Sequence, residues 1–244
     1  MNKEIKIFEN TDELSEYLGI FWKEKIDRLE ENKYYSIALS GGKTPIKIFD
    51  YLSENFRDKI KWNKIKFFWG DERCVSPTDP ESNFKLAKDH LFDQIDVNTT
   101  NIFRIRGELD PGNEAKEYSK ILEINLPLKN GYPKFDFILL GLGEDGHTAS
   151  IFPNQIELFN STNYCEVAEH PVTGQKRITI TGNIINNAET VMIAAVGENK
   201  ADKVFEILNN KESANLYPAN LVNPKSGNLF WLLDKGSAKN IIVE

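Results

Sequence analysis

The chain has 244 residues, 40% hydrophobic and 27% charged, enough to bury a sizeable core in one large domain or two small ones. A formal net charge of -7 and a pI near 5.2 argue against a general nucleic-acid partner or an anionic membrane surface. No apolar run approaches the ~20 residues that span a bilayer, and the opening MNKEIKIFENTDEL has neither an apolar core nor a small-residue cleavage site, so no secretory signal is expected. Cys74 and Cys165 are too few for a disulfide framework and lack metal-ligand spacing, which makes a reduced, cytoplasmic protein the expectation.

In chain order, EIKIF (4–8) reads as a first strand, and Asn10 with Glu13 resembles a capping box that opens a helix. Leu14, Leu18, Phe21, Trp22, Ile26 and Leu29 then fall on one helical face. YYSIALS (34–40) is a strand running into SGGKTP, where Pro45 suits a helix start. KIKFFWGDER (64–73) reads as a strand ending in charged residues, and 83–92 and about 112–125 read as helices. FDFILLGLG is a buried strand; KRITIT (176–181) alternates; TVMIAAVG (190–197) is another buried run. A helix over about 200–209 and a strand NLFWLLD (228–234) follow. Strands alternating with helices predict an α/β fold with a mostly parallel sheet. With no repeat and no linker in the chain, a single domain over 1–244 is expected.

Ligands of open α/β sheets collect beyond the carboxyl ends of the strands, and three strands here end in unusual residues: Ser40–Pro45, Gly70–Arg73 and Gly141–His147. SGGKT mimics the tail of a P-loop, but that motif needs glycine at position 37, which is Ile37 inside the strand. What survives is a junction whose N–H groups and Thr44 hydroxyl can hold a phosphate, with a plain turn as the equal alternative. Gly141, Gly143 and Gly146 spell G-x-G-x-x-G with Glu166 at a tempting distance, yet Pro153 falls seven residues after Gly146 and closes off the long helix that a dinucleotide needs. The glycines instead let His147 project beyond the sheet. Asp145, two residues earlier, is positioned to accept an imidazole N–H and fix its tautomer. His90 and His170 keep a structural reading. Asp71, Glu72 and Arg73 form either a solvated charge cluster or part of the site, where Arg73 forks onto a phosphate and Asp71 meets a hydroxyl or a proton. Pro77, Pro80, Ser82 and Asn83 suggest an ordered loop bordering that site.

Together SGGKTP, GDERCVSPTDPESNF and LGLGEDGHTASIFP, in this order, resemble the 6-phosphogluconolactonase family, which is related to the glucosamine-6-phosphate isomerases/deaminases. KRITIT, INNAETVMIAAVGENKADKV, YPANLVNP and LFWLLD extend the likeness over nearly the whole chain. The resemblance implies a Rossmann-like α/β fold and hydrolysis of 6-phosphoglucono-δ-lactone in the oxidative pentose phosphate pathway. It implies no metal or organic cofactor; a monomer or small homo-oligomer is expected. On matching positions, His147 resembles the base that activates water, with Asp145 beside it and Asp71 at the acidic position of the second motif. Ser40, Gly41, Gly42, Lys43 and Thr44 resemble the phosphate loop, and Arg73, Arg177 and Lys200 resemble further phosphate ligands. The deaminase branch carries Asn-Glu-Pro after the histidine, where this chain has Ile151, Phe152 and Pro153, so that carboxylate is missing. A non-catalytic sugar-phosphate sensor would need a DNA-binding segment, for which the early first strand leaves no expected room.

Overall fold

The apolar runs become the middle layer of the molecule. The computed structural model describes residues 2–241; the single-domain expectation also takes in residues 1 and 242–244, which lie outside the described residues. Its first strands are β1 (Asn2–Phe8), β2 (Tyr35–Leu39), β3 (Ile65–Trp69) and β4 (Asp71–Arg73), followed by a short hairpin of β5 (Leu128–Lys129) and β6 (Tyr132–Pro133). β7 (Phe137–Gly141), β8 (Cys165–Glu169), β9 (Lys176–Ile180), β10 (Thr190–Ala195) and β11 (Asn228–Asp234) come after. The helices are α1 (Thr11–Asp27), α2 (Lys43–Asn55), α3 (Asn83–Ala87), α4 (Pro111–Asn125), α5 (Gly182–Ile185) and α6 (Ala201–Leu208).

Six strands form one sheet in the order β1-β11-β10-β7-β2-β3, every pairing parallel. Every residue of β2 and β10 is buried, the pattern of strands covered on both faces. From α1, Leu14, Leu18, Trp22 and Ile26 enter the core, and the Trp22 indole meets the Phe137 ring of β7 edge-on at 5.5 Å. Asn10 caps this helix as expected, accepting from the N–H of Asp12 and Glu13, while Glu13 reaches back to the N–H of Glu9. This is one residue beyond the partner of a standard capping box.

The topology decides where a ligand fits. β2 leads outward to β3, whereas β7 leads the other way to β10 and β11, so the strand order reverses between β2 and β7. A crevice opens at such a reversal, beyond the carboxyl ends of the two strands. Those ends deliver Ser40 and Gly141.

The structure corrects two sequence expectations and adds elements that the sequence did not announce, β5, β6, β8 and α5 among them. KIKFFWGDER is not one strand: β3 stops at Trp69, Gly70 turns the chain, and Asp71–Arg73 pairs antiparallel with β9 in a second sheet of order β4-β9-β8. Gly70 joins the two sheets, donating to Leu39 O at 2.8 Å and accepting from Ile180 N at 2.8 Å. The helix expected over 83–92 is α-helical only through Ala87, after which Lys88–Phe92 continues as a wider π turn. Strand β8, absent from the sequence reading, has the burial pattern of neither clean alternation nor a continuous apolar run.

Candidate active site

β7 ends in a turn built by its glycines. Gly146 sits at φ 88°, where a side chain is strained, and a Cβ there would also lie 2.5 Å from the Tyr217 ring. At Gly143 a Cβ would lie 2.1 Å from His147 Nδ1, so only glycine admits the histidine at this spot. Thr148 Oγ1 ties the far side of the turn to Gly141 O at 3.0 Å, and Ala149 follows in left-handed backbone at φ 48°. Non-glycine residues held there store strain, a feature that clusters at functional sites.

His147 Nδ1 lies 2.5 Å from Asp145 Oδ1, which also accepts the His147 backbone N–H at 3.1 Å. Burial opposes ionisation of Asp145, but the hydrogen bond and charge of His147 outweigh it and hold the carboxyl down at about 2. An ionised acceptor places the imidazole proton on Nδ1 and leaves Nε2 a free acceptor, the state of a general base. The floor under the ring is Phe152, fully buried, with centroids 4.8 Å apart.

Strand alternation sorts the charged triplet of β4. Asp71 and Arg73 line the cleft, and Glu72 points away into the protein. Asp71, 5% exposed, accepts from Ser150 Oγ at 2.6 Å, and Asn83 Nδ2 donates to its carbonyl oxygen at 2.9 Å. Glu72 is not a solvated charge. It takes the N–H groups of Arg73, Asn83 and Phe84 at 2.7–2.8 Å and the Ser82 hydroxyl at 3.0 Å, and so holds the start of α3 against β4.

Every sequence-predicted site residue lines one cleft of about 710 Å³. Ser40, Gly41, Gly42, Lys43 and Thr44 form the wall at the start of α2, whose N-cap, Gly42, makes no side-chain bond to the first turn. Arg73 and Arg177 face each other directly across β4 and β9. Like charges so placed repel; burial, then Arg73, lowers the pKa of Arg177. The Nε atoms of both arginines are buried with no hydrogen-bond partner among the described residues. Lys200 stands at the other wall, its pKa lowered by burial against the opposing pull of Glu144 and Asp145. Among the described residues Lys43, Arg73, Arg177 and Lys200 form no ion pair.

Three residues at or beneath the cleft were not among those the sequence assigned to it. His170, given a structural reading from the sequence, lines the cleft because the β8–β9 turn folds over the strand ends. Asn83, read only as part of a bordering loop, is 1% exposed with an unpartnered Oδ1 beside Gly41. Phe152 is the common support of His147, His170 and Arg177. His90 does keep its structural reading, 2.7 Å from Asp50 and away from the cleft. Glu166 accepts from Ser161 and Asn163, also elsewhere. Beyond Gly146 the chain makes a bridge, Thr148 with Ile151, and then a 3-10 helix from Pro153 in place of a long crossover helix. No group of three or more His, Cys, Asp or Glu side chains among the described residues is placed to hold a metal ion.

Fold and cleft together define an α/β protein with a cationic, histidine-bearing crevice at the switch point of a parallel sheet. The chain belongs to the glucosamine-6-phosphate isomerases/6-phosphogluconolactonase family, which it matches over residues 9–231. It is 45% identical over 180 residues to a 6-phosphogluconolactonase of Treponema pallidum, covering 74% of this chain and 75% of that one. The 6-phosphogluconolactonase of Haemophilus influenzae is 41% identical over 204 residues, 83% of this chain and 86% of that protein. The crystal structure of 6-phosphogluconolactonase from Leishmania guyanensis superimposes with a TM-score of 0.88 at 27% identity, over 100% of both chains.

Proposed function

We propose that this protein hydrolyses 6-phospho-D-glucono-1,5-lactone to 6-phospho-D-gluconate, with His147 as general base. The observation that carries the reading is a His–Asp pair at 2.5 Å facing the same cleft as four cations that form no ion pair among the described residues. The relatives named above as 6-phosphogluconolactonases support the substrate class.

The chemistry follows from the residues. Lys43, Arg73, Arg177, Lys200 and the N–H groups at the start of α2 hold the phosphate and fix the ring in the cleft. His147 Nε2 takes a proton from water as its oxygen bonds to the lactone carbonyl carbon, and Asp145 stabilises the imidazolium that forms. When the tetrahedral centre collapses, the bond from carbon to ring oxygen breaks and His147 returns the proton to that oxygen. Asp71, held by Ser150 and Asn83, accepts from a sugar hydroxyl. A lactone is an activated ester, so a positioned base and an anchored phosphate suffice without a covalent intermediate. Phe152 at the floor brings no carboxylate for the proton relay of the deaminase branch.

The test is loss of freshly generated 6-phosphogluconolactone, corrected for spontaneous opening, beside ammonia release from glucosamine 6-phosphate. Lactone loss without ammonia is expected, and His147→Ala should lower kcat by about 10²–10⁴-fold while 6-phosphogluconate still binds. Wild-type turnover in that variant would remove His147 from the role of base, and ammonia release would move the protein to the other branch.

A further inference from the structure

In the proposed hydrolysis no side chain yet receives the charge gathering on the carbonyl oxygen, and one cleft histidine stands idle. His170 opens the turn after β8, its backbone N–H donating to Gln175 O at 2.9 Å. Its Nδ1 accepts the N–H groups of Val172 at 3.3 Å and Thr173 at 3.2 Å. A nitrogen occupied as an acceptor carries no proton, so the neutral ring bears its hydrogen on Nε2. Two backbone donors at Nδ1 also disfavour the doubly protonated ring. Burial, then the charge of Arg177, pushes its pKa below the ordinary histidine value; His147 and Arg73 act in the same sense and Asp145 in the opposite one.

The His170 ring stands edge-on to Phe152 at 5.3 Å, and the same phenyl ring carries His147 at 4.8 Å and the Arg177 guanidinium at 5.5 Å. Resting on one phenyl ring and lining one cleft, the two histidines lie at the same end of that cleft, where one can serve the attacking water and the other the carbonyl oxygen. We propose that His170, as a neutral imidazole, donates its Nε2–H to the lactone carbonyl oxygen as negative charge develops there. The inference rests on the lactonase reading. The phosphate already has four cations and a helix start, whereas the carbonyl oxygen has no other assigned donor. A neutral donor suits an oxygen that becomes anionic only in the transition state, because it strengthens its bond there and not in the ground state.

The experiment compares wild type, H170A and H170N on 6-phosphogluconolactone and on glucono-1,5-lactone, which lacks the phosphate. In H170N the carboxamide oxygen can still accept the N–H groups two and three residues on, so the turn is kept, but the side chain is too short to serve the cleft. Both variants should lose on the order of 10²-fold in kcat on both lactones, with KM within about twofold of wild type. Three outcomes would each overturn the assignment: unchanged kcat in both variants; wild-type kcat in H170N with loss only in H170A, which marks a turn-holding role; or a KM rise confined to the phosphorylated lactone, which marks a phosphate ligand. Failure of wild type to open either lactone would sink the hydrolysis reading itself, and this inference with it.

Discussion

Asp145 shows how much a single side chain decides. Its carboxylate sets the His147 tautomer through a 2.5 Å bond, and an amide in its place would present its NH2 or a weaker acceptor to Nδ1. Asp145→Asn should therefore lower kcat by about 10²-fold or more with KM nearly unchanged, measured by steady-state lactone hydrolysis. The same residue carries a pH-linked stability term of fixed sign. Its folded pKa of about 2 lies below the usual carboxylate value, so the stabilisation is complete above that usual value and is lost as pH falls toward 2. With its side chain 42% exposed, solvent screening leaves under ~1 kcal/mol. Urea unfolding should show wild type more stable than Asp145→Asn at pH near 5 and the gap narrowing by about pH 3. An unchanged gap would mean that the pair does not persist in solution. His147 and Asp145 were legible in sequence because they are two residues apart on a glycine turn; His170 was not, because its neighbours in sequence say nothing of Phe152 beneath it.

At the scale of elements, β4 and α3 are joined by Glu72, and the cleft depends on that joint. The carboxylate is 2% exposed and satisfies three backbone N–H groups and one hydroxyl. Glutamine would point an NH2 at donors that need an acceptor, leaving buried groups unsatisfied. Glu72→Gln should cost about 1–3 kcal/mol in urea unfolding and weaken activity through Asp71, which shares Asn83 with this joint. A stability loss below ~0.5 kcal/mol would show that water replaces the lost bonds. The α2 and β7 junctions were readable from glycine and proline placement. The break at Gly70 was not, since the apolar run and the charged triplet together look like one continuous strand, and only pairing with β9 separates them.

At the scale of the whole molecule, a chain of net charge -7 concentrates in one crevice four cations that form no ion pair among the described residues. Opposed arginines on neighbouring strands repel each other, and an anion held between them would relieve that repulsion. Raising salt screens the attraction. KM for the phosphorylated lactone should rise with ionic strength while KM for glucono-1,5-lactone stays flat, and Arg73→Ala should reduce that salt dependence and raise KM about 10-fold or more. Equal effects on both lactones would show that Arg73 does not contact the phosphate.

From the sequence alone followed the α/β class, the parallel character of the sheet, the glycine turns and each residue that those turns present, because all of these follow from local periodicity and backbone freedom. Tertiary structure alone decided that the strand order reverses between β2 and β7, that β4 leaves the central sheet to set Arg73 opposite Arg177, and that the β8–β9 turn brings His170 onto the ring that supports His147. These are contacts between segments far apart in the chain, and their energy comes from packing and charge across the core rather than from any property of the neighbouring residues.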